Sequence, residues 1–150
     1  MKIERFEDIQ AWQEARKLAG MLVQVTRSRS LSQDGALKEQ IDRASISIMA
    51  NIAEGFESQS DGEFARFLVY ARRSAAELQS HLYLALDRGQ LPSRDFQKLY
   101  AKLEEIRALI GGFLRYLSRP AEAGGRRFRA ADGHVRRRTD TGRWGQGTGD

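Results

Sequence analysis

The stretch that decides the fold, SISIMANIAEGFE at residues 45–57, places isoleucines among polar residues at helical spacing. With the residues before it, it forms two adjacent apolar stripes: Ile41, Ala44, Ile48 and Ile52 in one, and Ile46, Met49, Ala53 and Phe56 in the other. Together the stripes cover roughly 200° of the helix, whereas a surface helix needs only about 100°. This helix therefore needs two apolar partners, either inside one bundle or across a subunit interface.

A line of polar residues follows the opposite side of the same helix. It consists of Gln40, Arg43, Ser47, Asn51 and Glu54, at spacings of three or four. The next helix offers Arg73, Ser74 and Glu77 as mates. Two interpretations stay open: a solvated face, or hydrogen bonds between helices that fix their register. Ser and Asn favour the second, because Lys, Glu and Gln support an exposed helix better.

Prolines and clusters of glycine and serine divide the chain into helical segments near residues 7–27, 36–57, 62–88 and 93–118. In the last segment apolar residues alternate spacings of three and four from Phe96 to Leu117, and Ser93 is the predicted N-cap. Short connections favour antiparallel neighbours. The sequence thus predicts an all-α, up-down-up-down antiparallel four-helix bundle over residues 1–118, followed by a disordered tail over residues 119–150.

The first segment also has an apolar arc wider than half of its circumference. Two explanations remain open: the first two segments form the centre of the bundle, or their surplus apolar surface forms a subunit interface. On the second explanation the candidate interface residues are Leu18, Leu22, Ile46, Met49 and Phe56.

Composition and motifs indicate neither an enzyme nor a cofactor site. The chain has no cysteine and no glycine-rich phosphate loop or nucleophile elbow. Glu77 precedes His81 by four residues, whereas di-iron bundles use a Glu-x-x-His spacing of three. We therefore expect no metal, no cofactor and no small-molecule substrate. The charged N-terminal residues and the absence of a long apolar run predict a cytoplasmic protein without a membrane segment.

The positive charge is concentrated near the C-terminus. Residues 119–150 hold eight arginines and four acids, a net charge of +4, whereas the other residues hold 17 basic and 16 acidic side chains. Arginine interleaved with Phe128 and Trp144 is suited to phosphate contacts and base stacking. The candidate nucleic-acid contacts are Arg126, Arg127, Arg129, Arg136, Arg137, Arg138 and Arg143.

Three motifs in order, FEDIQAW, QIDRASISIMANIAEGFE and EFARFLVYARRSAAEL, resemble one family over residues 3–118. It is the bacterial four-helix bundle family named after the protein encoded in intervening sequences of 23S ribosomal RNA genes. The resemblance implies homopentamers without established enzymatic activity. A related group, the accessory variability determinants of diversity-generating retroelements, forms a pentameric barrel that binds a reverse transcriptase and nucleic acid.

This sequence departs from that related group in two respects. Its bundle is nearly neutral, and SRSLSQDG at residues 28–35 replaces the Phe-Pro expected before the second helix. Our hypothesis is a homo-oligomeric, pentameric scaffold that binds RNA or DNA, as an accessory to a reverse transcriptase or in association with ribosomal RNA. The alternative is a protein-interaction module without nucleic-acid binding.

Overall fold

The computed structural model describes residues 3–119, and within that range helices are the regular secondary structure. A 3₁₀ turn, Phe6–Asp8, precedes five α-helices: α1 Gln10–Thr26, α2 Arg29–Gln33, α3 Gly35–Glu57, α4 Asp61–Asp87 and α5 Ser93–Ser118. The four long helices confirm the predicted all-α bundle. The predicted disordered tail, apart from its first residue, lies outside the described residues.

The short helix α2 lies in the serine-containing stretch that was predicted to separate the first two helical segments. Its N-cap Ser28 accepts a hydrogen bond from the Leu31 backbone amide at 3.4 Å, and Leu31 is buried in the core. Serine was interpreted as a helix breaker here, but at an N-cap it supports a helix start. Leu31 is the buried residue of α2, which packs against α1 and α3.

Helix starts use different caps. Asp34 begins α3 by accepting from the Leu37 amide at 3.2 Å, and Ser60 begins α4 by accepting from the Glu63 amide at 3.1 Å. The predicted cap of α5 was wrong by one position, since Pro92 is the N-cap and Ser93 is the first helical residue. Proline lacks the backbone N–H that a helix start leaves unbonded, so it is tolerated there.

The long helices form a closed ring in which α1 packs on α3 and α5, and α4 packs on α3 and α5. Arg88 and Gln90, just after α4, donate to the Asp34 carboxylate at the start of α3, at 2.7 and 2.9 Å. Phe64, near the start of α4, lies 5.1 Å from Phe113, near the end of α5, between ring centroids. These contacts show that α4 is antiparallel to both α3 and α5, as the up-down-up-down topology requires.

The core runs the length of the bundle and is built mainly from leucine, isoleucine, alanine and phenylalanine. The apolar residues predicted to line one side of α5, from Phe96 to Leu117, are buried. The exception is Phe113, near the C-terminal end of the helix, which is half-buried. The pair α3 and α4 has the most extensive interface of the bundle. Ile48 and Ile52 of α3 are fully buried in the core.

Gly55 lets α3 and α4 approach each other closely. A Cβ atom at this position would lie 2.8 Å from both Phe64 Cδ2 and Phe67 Cβ. The Phe67 Cβ atom is fixed to the α4 backbone and cannot rotate away, so a larger residue would force the two helices apart. Gly20 of α1 has open space around its Cα instead.

We predict opposite effects of alanine at these two glycines. Gly55→Ala should lower the free energy of unfolding by about 1–3 kcal/mol, because overpacking outweighs the gain in helix propensity. Gly20→Ala should raise it by about 0.5–1 kcal/mol, since only the propensity changes. Urea denaturation at one protein concentration measures both. An equal gain from the two substitutions would show that the close approach is unimportant.

Candidate nucleic-acid and assembly surfaces

In the polar line of α3, the middle residues form hydrogen bonds, whereas Arg43 and Glu54 on either side are exposed. Ser47 Oγ and Ser74 Oγ of α4 lie 2.8 Å apart, and the Asn51 amide donates to the Ser47 carbonyl and hydroxyl oxygens at 2.8 and 2.9 Å. Near one end, Arg43 is exposed and pairs with Glu39 at 3.0 Å, and at the other Glu54 is exposed. The hydroxyl pair therefore joins α3 to α4 at one point along their length.

The remaining predicted members of the polar line stand apart from the hydroxyl pair. Gln40 is half-buried near the start of α3, and the exposed Glu77 contacts His81 at 3.2 Å along its own helix. Among residues 3–119, no group of three or more histidine, aspartate or glutamate residues is placed to hold a metal ion. We find no arrangement of a nucleophile and a base in the polar line.

The structure corrects three of the five candidate interface residues. Leu18, Leu22 and Phe56 are 0%, 2% and 0% exposed, so they belong to the core of the single chain. The ring does not make α1 and α3 a central pair, since each of the four long helices packs against two others. Met49 is half-buried, and Ile46 is 67% exposed at the middle of α3. Ile46 is thus the large apolar side chain of α3 that the bundle leaves exposed.

The outer face of α1 is cationic, although the bundle as a whole is nearly neutral. Arg16, Lys17 and Arg27 are exposed, and their polar neighbours on this face are glutamines rather than acids. The one carboxylate among residues 10–29, all of which the structure describes, is Glu14. Because Glu14 is buried, the outer face of α1 exposes no carboxylate.

Glu14 is held inside the bundle by two lysines. Lys102 of α5 donates to its carboxylate at 2.6 Å, and Lys17 donates to the other oxygen at 2.9 Å. The hydrogen bond from Lys102, followed by that from Lys17, lowers the pKa of the Glu14 carboxyl below its usual value. The same bond raises the pKa of the Lys102 ammonium. The pair closes the ring of helices between α1 and α5.

A shallow groove lies at the N-terminal end of this cationic face. The Trp12 ring packs edge-on against Phe6 at 5.1 Å between centroids, and the Arg16 guanidinium lies over Trp12, 5.9 Å from its ring centre. Sequence reasoning missed this pair. The spacing of four residues on one helix face was the signal that could have found it.

Polar contacts between α4 and α5 were missed as well. Gln79 is buried, donates to the Glu104 carboxylate at 2.7 Å and accepts from Arg107 at 3.1 Å. In the sequence Gln79 lies at the border of the apolar arc of α4, so the pattern gave little indication that its side chain is buried. The seven arginines proposed as nucleic-acid contacts, Arg126, Arg127, Arg129, Arg136, Arg137, Arg138 and Arg143, lie outside the described residues.

We predict that Glu14 makes stability depend on acid pH. Because its pKa is lowered by folding, its contribution is complete above the unfolded pKa, near 4.5, and is lost as the pH falls through the lower folded value. Glu14→Gln should reduce the free energy of unfolding by about 1–3 kcal/mol at neutral pH, with the difference from the unmodified protein shrinking below about pH 4.5. Urea unfolding between pH 7 and pH 3 measures this.

Glu105 provides the matched control, because its exposed carboxylate contacts the same Lys102 at 3.0 Å. Glu105→Gln should change the unfolding free energy by no more than about 0.5 kcal/mol at any pH, as expected for an exposed ion pair. A Glu14→Gln difference that stays constant down to pH 3 would contradict the assigned role.

None of the helices in the described part of the chain combines the length and hydrophobicity needed to cross a bilayer. Comparison with curated proteins gives no match. A family model described as 23S rRNA-intervening sequence protein matches residues 7–112, which is more than two-thirds of the chain and includes α1, α3, α4 and most of α5. The chain therefore belongs to the 23S rRNA-intervening sequence protein family.

Proposed function

We propose that this protein is a non-enzymatic, cytoplasmic, homo-oligomeric scaffold that binds nucleic acid, with RNA as the first candidate. The observation that carries the proposal is the outer face of α1, where Arg16, Lys17 and Arg27 are exposed while the one carboxylate of the helix, Glu14, is buried and bonded to Lys17 and Lys102. The family description, which names an intervening sequence of 23S rRNA, supports an RNA context. The resemblance to accessory proteins of reverse transcriptases is compatible with the same surface.

The cationic face is long enough to contact several phosphates of one strand. Arg16 lies eleven positions before Arg27, the C-cap residue of α1, a distance of about 16 Å along the helix axis. At the 3.4 Å per phosphate of one strand of a double helix, this length corresponds to about five phosphates. Five positive faces on one ring, if the oligomer has five subunits, would bind a long strand more tightly than one face through avidity.

The arginines of residues 119–150 supply a second cationic element in our proposal. They follow α5, whose last residue is Ser118, and they carry most of the net charge of the chain. Both elements act by releasing counterions from the phosphates, so both make binding depend on salt. The proposal therefore assigns α1 a fixed cationic surface and assigns the C-terminal residues an additional source of affinity.

We predict that the salt dependence of RNA binding changes when the α1 face is neutralised. In a titration of labelled single-stranded RNA followed by fluorescence anisotropy, the combined variant Arg16→Gln, Lys17→Gln and Arg27→Gln should reduce the slope of log K against log salt by about 2. The matched control, Arg72→Gln, Arg94→Gln and Lys98→Gln, removes the same charge from other exposed positions and should leave the slope nearly unchanged.

A truncation after Ser118 separates the two cationic elements. We expect the truncated protein to bind RNA more weakly and to keep sensitivity to the α1 substitutions. Equal slopes for the α1 variant and the control variant would refute the role of α1. Absence of binding by the full chain at low salt would refute nucleic-acid binding altogether and would favour the protein-interaction module.

The exposed Ile46 supports the homo-oligomeric part of the proposal. A branched aliphatic side chain that is 67% exposed, with the partly exposed Met49 nearly one turn away, leaves apolar area in contact with water. Contact with a second subunit would bury it. Arg43 and Glu39, which pair with each other beside it, would form a polar rim of the kind that surrounds interface cores.

We predict that Ile46→Gln dissociates the oligomer. Light scattering coupled to size exclusion should give a mass of about five chains for the unmodified protein and a lower mass for Ile46→Gln. Leu84→Gln, on α4, serves as the control because Leu84 is also exposed, at 41%, and it should not change the mass. A monomeric unmodified protein at micromolar concentration would overturn the oligomer proposal.

A further inference from the structure

The groove beside Trp12 combines an aromatic floor with polar and charged walls. It is open to solvent, has a volume of about 490 Å³ and is lined by Glu7, Trp12, Gln13, Arg16 and Lys17. A volume of this size falls within the range of about 300–1,000 Å³ that is typical of small-ligand sites. The groove is therefore large enough for a ligand group rather than for water alone.

The side chains around the groove are fixed by contacts inside the protein. Gln13 donates to the Glu7 carbonyl oxygen at 2.8 Å, and the Glu7 carboxylate accepts from Arg5 at 3.2 Å. Edge-on packing against Phe6 holds the Trp12 ring. Because the floor and one wall are held in place, a ligand would lose little affinity to ordering them.

The chemistry of the groove matches an unpaired nucleotide. A planar base can stack on the Trp12 indole, as bases do on aromatic side chains in single-strand binding proteins. The Arg16 guanidinium, which lies over the Trp12 ring, would move aside to stack on the base or contact a phosphate. Lys17 bonds to Glu14 at 2.9 Å, but its side chain is 66% exposed, so its ammonium can also contact the backbone. Glu7 and Gln13 supply acceptors for the N–H and amino groups on base edges.

We propose that this groove binds one unpaired base of a single-stranded nucleic acid, stacked on Trp12, with its phosphates on Arg16 and Lys17. This inference rests on the proposed nucleic-acid binding and adds to it a preference for unpaired over paired strands. A duplex keeps its bases stacked on one another, so it can reach the cations of α1 but cannot fill the groove.

Fluorescence of Trp12 tests the proposal in the intact chain. The protein has two tryptophans, so Trp144→Phe leaves Trp12 as the reporter and keeps an aromatic residue at position 144. An unstructured oligouridylate of about 12 nucleotides and an RNA duplex of the same length are titrated while anisotropy of the labelled RNA is followed. We expect both RNAs to raise the anisotropy and only the single strand to quench Trp12.

Substitutions give a second measurement. Trp12→Leu keeps an apolar contact for Phe6 and removes the aromatic face, so it should weaken single-strand binding roughly tenfold and leave duplex binding unchanged. Arg66→Gln is the matched control for Arg16→Gln, because Arg66 also lies over an aromatic ring, 5.7 Å from the centre of Phe67, but outside the groove. Only Arg16→Gln should reduce the quenching.

The outcomes separate the groove from the wider function. Single-strand binding without Trp12 quenching, or equal quenching by the duplex, overturns the stacking site and leaves nucleic-acid binding by the cationic face intact. No change in anisotropy with either RNA overturns both. If Trp12→Leu fails to fold, the fluorescence titration of Trp144→Phe decides the question by itself.

Discussion

The close approach of α3 and α4 at Gly55 is the constraint on which the rest of the structure depends. Phe64 and Phe67 occupy the space that a side chain at position 55 would need. Their position lets the apolar faces of α3 and α4 pack together, and the Ser47–Ser74 hydroxyl pair lies within bonding distance further along the same interface. α1 and α5 complete the ring around this pair, with Glu14 and Lys102 joining them.

Helical periodicity was sufficient to predict the class of fold. Apolar residues at spacings of three and four specify which side of α4 and α5 is inside, and short connections specify antiparallel neighbours. The same pattern did not distinguish a central helix from one at a subunit interface, because both require a wide apolar arc. Leu18 and Leu22 were therefore candidates for an interface as well as for the core, and they pack inside the chain.

The candidate site was harder to predict from the sequence, because the sequence gives the charge along the chain and not its distribution over the surface. In a count along the chain Glu14 offsets one cation of α1, but in three dimensions its buried carboxylate is shared between Lys17 and Lys102, which is 88 positions away. The outer face of α1 thus becomes cationic in a bundle with a net charge of only +1. Pairing over such a separation depends on which helix closes the ring, and no local motif encodes it.

The unequal helix interfaces have a consequence for local opening of the bundle. α1 has smaller contacts with α3 and α5 than α3 has with α4. Partial openings that release α1 should therefore cost less free energy, and its backbone amides should exchange with solvent through them. A strand bound along the outer face of α1 would have to be released, or would have to move with the helix, before such an opening. Slower amide exchange in α1 would then show directly that a strand is bound to that face, even if the overall shape of the protein does not change.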